Sequence, residues 1–131
     1  MAVSIIIPAY NEEARLPITL GDTFDYFALR GEQFEILVVD DGSRDSTEQV
    51  VQEFADAHSE CNACLGIKCL GYGGNRGKGY AVRYGMLRGQ GDLRLFCDAD
   101  LATPVEEYEV VLDEMREHSA QIGIGSRPLR E

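Results

Sequence analysis

"FEILVVDDGSRDSTEQVVQEFADA", residues 34–57, holds a strand, a turn and a helix in 24 consecutive positions. Ile36, Leu37, Val38 and Val39 are apolar at odd and even positions alike. A strand of that kind is buried on both faces, the pattern of a parallel sheet rather than of an antiparallel sheet with one wet face. Asp40-Asp41-Gly42-Ser43 reads as a tight strand-to-helix turn. The helix is expected from about Ser46 to Ala57, with Asp45 as its N-cap and Glu48 as the N3 partner.

The same alternation runs outward in both directions. "VSIIIP" (3–8) is a β-branched run too short for a helix. In "LPITLGDTFDYFALRG" (16–31), Leu16, Leu20, Phe24, Phe27 and Ala28 recur at helical spacing, with Pro17 near the start and Gly31 past the end. "CLGIKCL" (64–70) is a third strand. The glycine-rich "GYGGNRGKG" (71–79) leads into a helix through Arg88, closed by Gly89 and Gly91. "LRLFC" (93–97) is a fourth strand, "PVEEYEVVLDEMREH" (104–118) a helix opened by Pro104, and "QIGIGS" (121–126) a fifth strand. The fold class is therefore α/β: one domain over residues 1–131, with a mostly parallel sheet and helices on both faces.

Twelve Lys and Arg against 23 Asp and Glu leave a net charge of −11. That balance argues against a nucleic-acid backbone or an anionic membrane as the main partner, and an anionic ligand would need local features that oppose the overall field. No apolar run reaches the ~18–20 residues of a membrane-spanning helix, and the N-terminus lacks the basic region and cleavage site of a secretory signal. The expectation is a soluble, cytoplasmic chain. The 104–118 helix is acidic on its polar face, the wrong sign for phospholipid, and no other segment reads as an amphipathic membrane helix.

In open parallel sheets ligands bind beyond the carboxyl ends of the strands. Those ends carry Pro8-Ala9-Tyr10-Asn11-Glu12, Asp40-Asp41, the 71–79 loop and Asp98-Ala99-Asp100. Two common phosphate-binding plans do not fit. A Walker A loop would require glycine at Tyr72 and Ser or Thr at Gly79, and "PAYNEE" stands where a dinucleotide fingerprint would follow the first strand. The "CDAD" of residues 97–100 suggests another plan. Residues i and i+2 of an extended segment project to one side, so Asp98 and Asp100 aim together while Ala99 points away. Paired carboxylates are hard oxygen ligands suited to Mg²⁺ or Mn²⁺. A carboxylate facing a phosphate at ~5 Å, at an effective dielectric of ~20, costs about 3 kcal/mol. A divalent cation bridging the carboxylates and a diphosphate removes that cost. A bare D-x-D is also a common loop pattern, so its context decides.

That context is five motifs in order: "SIIIPAYNEEARLP", "EILVVDDGSRDST", "NRGKGYAVRYGML", "FCDADLATP" and "IGSR". Together they resemble the family 2 glycosyltransferases, closest to the polyprenyl- and dolichyl-phosphate sugar transferases and particularly the β-glucosyl branch. The resemblance implies a GT-A (Rossmann-like) three-layer sandwich. It implies an inverting transferase that uses a nucleotide-diphosphate sugar, UDP-glucose above others, with Mg²⁺ or Mn²⁺ and a polyprenyl phosphate acceptor. Pro8, Tyr10 and Glu12 would line the nucleoside pocket, Asp40 would accept from the base N–H and Asp41 would sit beside it. Lys78 would face the diphosphate, Asp98 the ribose or metal with Ala99 beside it, and Asp100 the metal directly. Arg76 and Arg83 would add charge or form a solvated face. Ala102 departs from the glutamine of mannosyl-type relatives, which puts a third metal ligand in doubt. The catalytic base is expected beyond Glu131, in an acceptor-binding half, with the complete protein peripheral to a membrane and self-association through the exposed acceptor-side face. The alternative is a non-catalytic nucleotide-sugar-binding or assembly module. His58, Cys61, Cys64 and Cys69 have the spacing of zinc ligands, but inert thiols are the stronger expectation.

Overall fold

The computed structural model describes residues 2–100 and 105–123. The elements run β1 (Val3–Ala9), α1 (Leu16–Arg30), β2 (Phe34–Asp40), α2 (Thr47–Ala57), β3 (Cys64–Gly71), α3 (Lys78–Arg88), β4 (Leu93–Phe96) and α4 (Glu107–Glu117). All strand pairs are parallel, in the order β3-β2-β1-β4. β1 is thus hydrogen-bonded on both sides and its seven residues are all buried.

Alternation along β1 divides the core. Val3, Ile5 and Ile7 pack with Leu16, Leu20, Phe24 and Phe27 of α1, Val51 of α2, and Tyr108 and Leu112 of α4. Ile6 and Val39 face the other way, against Ala81 of α3. Helices therefore cover both faces, giving three layers. α3 lies close because Gly85 lacks a side chain: a Cβ there would stand 2.6 Å from Ile6 Cγ2 and 2.9 Å from Val39 Cγ2. At the amino ends of the strands, buried Glu35 accepts from Ser4 Oγ (2.5 Å) and the Gln90 amide (2.7 Å), while Ser4 Oγ accepts from the Gly91 amide (2.8 Å). Gly89 and Gly91 fit over Ser4 only without side chains.

Some boundaries differ from the sequence reading. α2 has Ser46 in the N-cap position, and Asp45 acts from one residue earlier, its Oδ1 accepting from the Thr47 amide at 3.0 Å. α4 begins at Glu107 and not at Pro104, which lies outside the described residues. Residues 121–123 of the expected fifth strand are not in a strand, and 124–126 lie outside the described residues, as does the "IGSR" motif. The reason is local: Ser119 turns the chain at φ 52°, the Ala120 amide bonds the Met115 carbonyl at 2.8 Å, and Gly123 folds back onto Met115 and Val111. No helix among the described residues is long and apolar enough to cross a membrane.

Replacing Gly85 by Ala forces α3 off the sheet or Ile6 and Val39 out of their rotamers. Overpacking of that kind costs about 1–3 kcal/mol. A urea titration of Gly85→Ala is expected to show a lower midpoint at unchanged slope.

Candidate functional site

The order β3-β2-β1-β4 places a switch point between β1 and β4, because the chain moves to one side of β1 for β2 and β3 and crosses to the other for β4. Loops diverge there and leave a crevice at the carboxyl ends of the strands. A cleft of about 430 Å³ opens at that point, lined by Pro8, Ala9, Tyr10, Glu12, Asp41, Lys78, Ala81, Asp98, Ala99 and Asp100. Eight of the nine residues expected from the sequence meet there. Asp40 is set back from the lining, at the end of β2, where its Oδ1 accepts from the Ser43 amide at 2.8 Å.

The first wall is the loop after β1, which is latched to the loop after β2. Asn11 adopts φ 53°, its amide donates to Ser43 Oγ at 2.9 Å, and its Oδ1 accepts from the Arg44 amide at 2.9 Å. The Glu12 amide donates to Thr47 Oγ1 (3.1 Å) and the Glu13 amide to Asp45 Oδ2 (3.2 Å), while Glu13 Oε2 accepts from the Ser46 amide (3.2 Å). These reciprocal bonds satisfy amides that no ladder reaches, so Tyr10 and Glu12 are held without regular structure.

The second wall is the glycine-rich loop, and Asp41 holds it. Its Oδ1 accepts from the Tyr72 hydroxyl (2.6 Å) and the Arg76 amide (2.7 Å), and its Oδ2 accepts from the Gly77 amide (2.9 Å). Burial opposes ionisation of this carboxyl, yet the three donors outweigh it and hold the group below the ordinary carboxylate range. Tyr72 is pushed up, by burial and by the carboxylate it faces, and stays a donor. Gly42, at φ 80°, is pressed so closely on this loop that a Cβ would stand 2.6 Å from the Gly74 carbonyl carbon. Gly77 caps α3 at φ 94° and turns the chain so that Lys78 enters the cleft.

The third wall is Asp98-Ala99-Asp100. Ala99 is only 5% exposed and packs into the core, and its carbonyl accepts from the buried hydroxyl of Thr19. The flanking carboxylates consequently share the cleft side, 42% and 47% exposed. Lys78 pairs with Asp98, and Arg15 Nη1 lies 3.9 Å from Asp100 Oδ2, with its Nε 3.7 Å from Glu12 Oε2. Such exposed pairs contribute only about 0–1 kcal/mol each, so an entering ligand can rearrange them. Two carboxylates on one side of the cleft are hard oxygen donors, the ligand type that suits a divalent ion such as Mg²⁺ or Mn²⁺. Ala102 lies outside the described residues.

Sequence reasoning missed Arg15, Thr19 and Tyr72. Thr19 left a signal, as one of two hydroxyls, with Thr23, on the mainly apolar buried face of α1. Arg15 and Tyr72 left none, since their partners are 85 and 31 positions away. The cysteine spacing does not become a site. His58 Nδ1 lies 2.8 Å from the Phe54 carbonyl with its ring stacked on Phe54, and burial first pushes the Cys69 thiol up to about 12. Burial does the same to Cys97. Among the described residues, only Glu114, Glu117 and His118 bring three such ligand atoms together, on the exposed end of α4.

Comparison with known proteins agrees with this architecture. The family model described as "Glycosyl transferase family 2" matches residues 4–131. A dolichyl-phosphate beta-glucosyltransferase of Trichomonas vaginalis is 40% identical over 138 residues, covering 98% of this chain and 40% of that protein. The dolichyl-phosphate beta-glucosyltransferase of Homo sapiens is 33% identical, covering 95% and 40%. The chain thus spans about two fifths of the length of these relatives. A mannosyltransferase from Pyrobaculum calidifontis, solved in complex with GDP-Man and Mn²⁺, is similar with a TM-score of 0.63 at 27% identity, over 75% of this chain and 27% of that one. S. aureus TarS in complex with UDP gives 0.61 at 25% identity, over 88% and 33%. The fold is GT-A.

Asp41→Asn turns an acceptor of three donors into a group that must present an N–H to one of them. An unsatisfied buried partner costs about 1–3 kcal/mol. Hydrogen exchange at the Arg76 and Gly77 amides is expected to accelerate, with lowered stability. The pH sign is fixed by the depressed folded value: in the parent the stabilisation is complete above the ordinary carboxylate range and fades as pH falls through the folded value. Asp41→Asn removes that part of the acid-side loss.

Proposed function

The chain belongs to glycosyl transferase family 2, and from that premise we propose that it is the donor-binding part of an inverting transferase. The donor is a nucleotide-diphosphate sugar, UDP-glucose, and the acceptor of the whole protein is a polyprenyl phosphate. The observation that carries this reading is the cleft itself: Pro8, Tyr10 and Glu12 share its lining with Lys78 and with Asp98 and Asp100 at the switch point. Its likeness to the dolichyl-phosphate beta-glucosyltransferases supports the glucosyl donor and the lipid acceptor. The mannosyltransferase solved with GDP-Man and Mn²⁺ supports the metal.

In this reading the nucleoside lies against Pro8, Tyr10 and Glu12, and Asp40 accepts from the base N–H. Asp41 acts through the loop it holds and not on the base. Asp98 and Asp100 hold Mg²⁺ or Mn²⁺, with Asp98 within reach of the ribose and Ala99 fixing their direction. The ion, when bound, supplies Lewis-acid stabilisation of the departing diphosphate. Lys78 exchanges Asp98 for the diphosphate at the amino end of α3, where loop amides add their own positive potential. A polyprenyl phosphate is already an anion, so little is asked of a base, whereas holding it in line with the sugar is indispensable. The isolated chain is expected to bind donor and transfer little. Phe96, exposed on the outer strand β4, supports self-association of the isolated chain.

Titration calorimetry tests the donor site. UDP binding should require the divalent ion and disappear in Asp100→Ala, and binding of equal strength in EDTA would refute the metal bridge. Asp40→Asn keeps an acceptor but loses charge assistance, about 1–2 kcal/mol, and UDP should weaken roughly tenfold. Unchanged affinity would make Asp40 a turn residue only.

A further inference from the structure

Residues 71–91 contain Arg76, Lys78, Arg83 and Arg88 and no acid, in a chain of net charge −11. The fold sets Arg83 on the outer edge of α3, with Arg76 and Arg88 on tyrosine rings along its flank and Lys78 turned into the cleft. Ala81 and Gly85 turn α3 toward the sheet, so Tyr80, Arg83 and Leu87, at spacings of three and four, form its outer edge. All three are exposed, Leu87 by 63%. Along the flank, Arg76 lies over the Tyr80 ring at 5.2 Å and Arg88 over the Tyr84 ring at 3.3 Å. The same helix begins at Lys78, which lines the cleft.

We propose that this outer face of α3 docks on an anionic phospholipid membrane. An exposed leucine and amphipathic tyrosines among arginines form a surface whose apolar parts enter the headgroup layer while guanidiniums meet lipid phosphates. The repulsive net charge does not forbid it. Screening over ~8 Å at physiological ionic strength leaves the patch to act by its own charge, and residues 71–91, which form it, include no Asp or Glu. The exposed Leu87 and Tyr80 beside the arginines offer apolar surface that a headgroup layer buries, which favours a membrane over an acidic peptide that needs only the charge. From the sequence alone Arg76 and Arg83 read as added charge at the ligand or as a solvated face; the tyrosine rings under Arg76 and Arg88 and the bare leucine belong to neither.

The test is sedimentation of the 131-residue chain with vesicles of phosphatidylcholine alone and of phosphatidylcholine with phosphatidylserine, at low and high salt. Neither nucleotide nor transfer is involved, so its outcome is separate from that of the donor site. Binding is expected only with phosphatidylserine and should fall as salt rises. The charge reversals Arg83→Glu and Arg88→Glu together should weaken it by about tenfold or more, and Leu87→Asn should weaken it too. Leu29→Asn, at an exposed leucine of α1, should leave it unchanged. Circular dichroism checks that each variant is folded. Equal binding to both vesicles, no binding to either, or indifference to the double reversal would overturn the proposal. Capture by poly-glutamate without vesicle binding would overturn it in favour of an acidic protein partner.

Discussion

Everything else in this molecule depends on the pairing of β1 with a parallel strand on each side. A strand buried on both faces can satisfy its amides and carbonyls only through neighbours. β2 takes one edge by the shortest right-handed route through α1, and β3 extends that side. The other edge falls to β4, so the chain must cross back over β1. That crossing opens the crevice, and it also drives the glycine-rich loop and α3 across the opposite face, where Gly85 permits contact with Ile6 and Val39. The cleft is a consequence of strand order before any side chain is placed in it.

The composition is acidic, yet much of that acid serves the backbone. Asp40, Asp41, Asp45, Glu13 and Glu35 each accept from an amide of a turn or loop that no ladder satisfies. Charged acceptors make stronger hydrogen bonds than neutral ones, which suits loops with few apolar contacts. The net charge of −11 is accordingly a poor guide to the ligand. What bears on the ligand is local: Lys78 and Arg15 stand at Asp98 and Asp100 in the cleft, and the 71–91 segment has four basic residues and no acid.

Asp41 shows how one residue can build a site by holding the loop that forms its wall. It lines the cleft by position, but both oxygens are committed to the loop that delivers Lys78. Thr19 does the same for the opposite wall, anchoring Ala99 so that Asp98 and Asp100 face outward together. The site is a set of loops fixed by side-chain hydrogen bonds to backbone groups, on a sheet that provides the rigidity.

The sequence by itself determined the strand-helix alternation, the parallel sheet, and eight of the ten residues that line the cleft. Those features are written in local periodicity, in turn residues at strand ends and in the two-residue repeat that aims Asp98 and Asp100 together. Local periodicity reaches no further than the element it describes. Only the tertiary structure decided that Asp41 faces Tyr72 and the Arg76 and Gly77 amides, that Asp40 stands back in its own turn, that Thr19 reaches Ala99, and that Tyr80, Arg83 and Leu87 form one exposed ridge. The contacts of Asp41 and Thr19 join residues tens of positions apart, the turn at Asp40 is local but its distance from the cleft follows from strand order, and the ridge is outward only because Ala81 and Gly85 are small enough to let the sheet claim the other side of α3. Long-range hydrogen bonds and the choice of which helix face is buried depend on strand order and close approach, which one residue's neighbours in sequence do not contain.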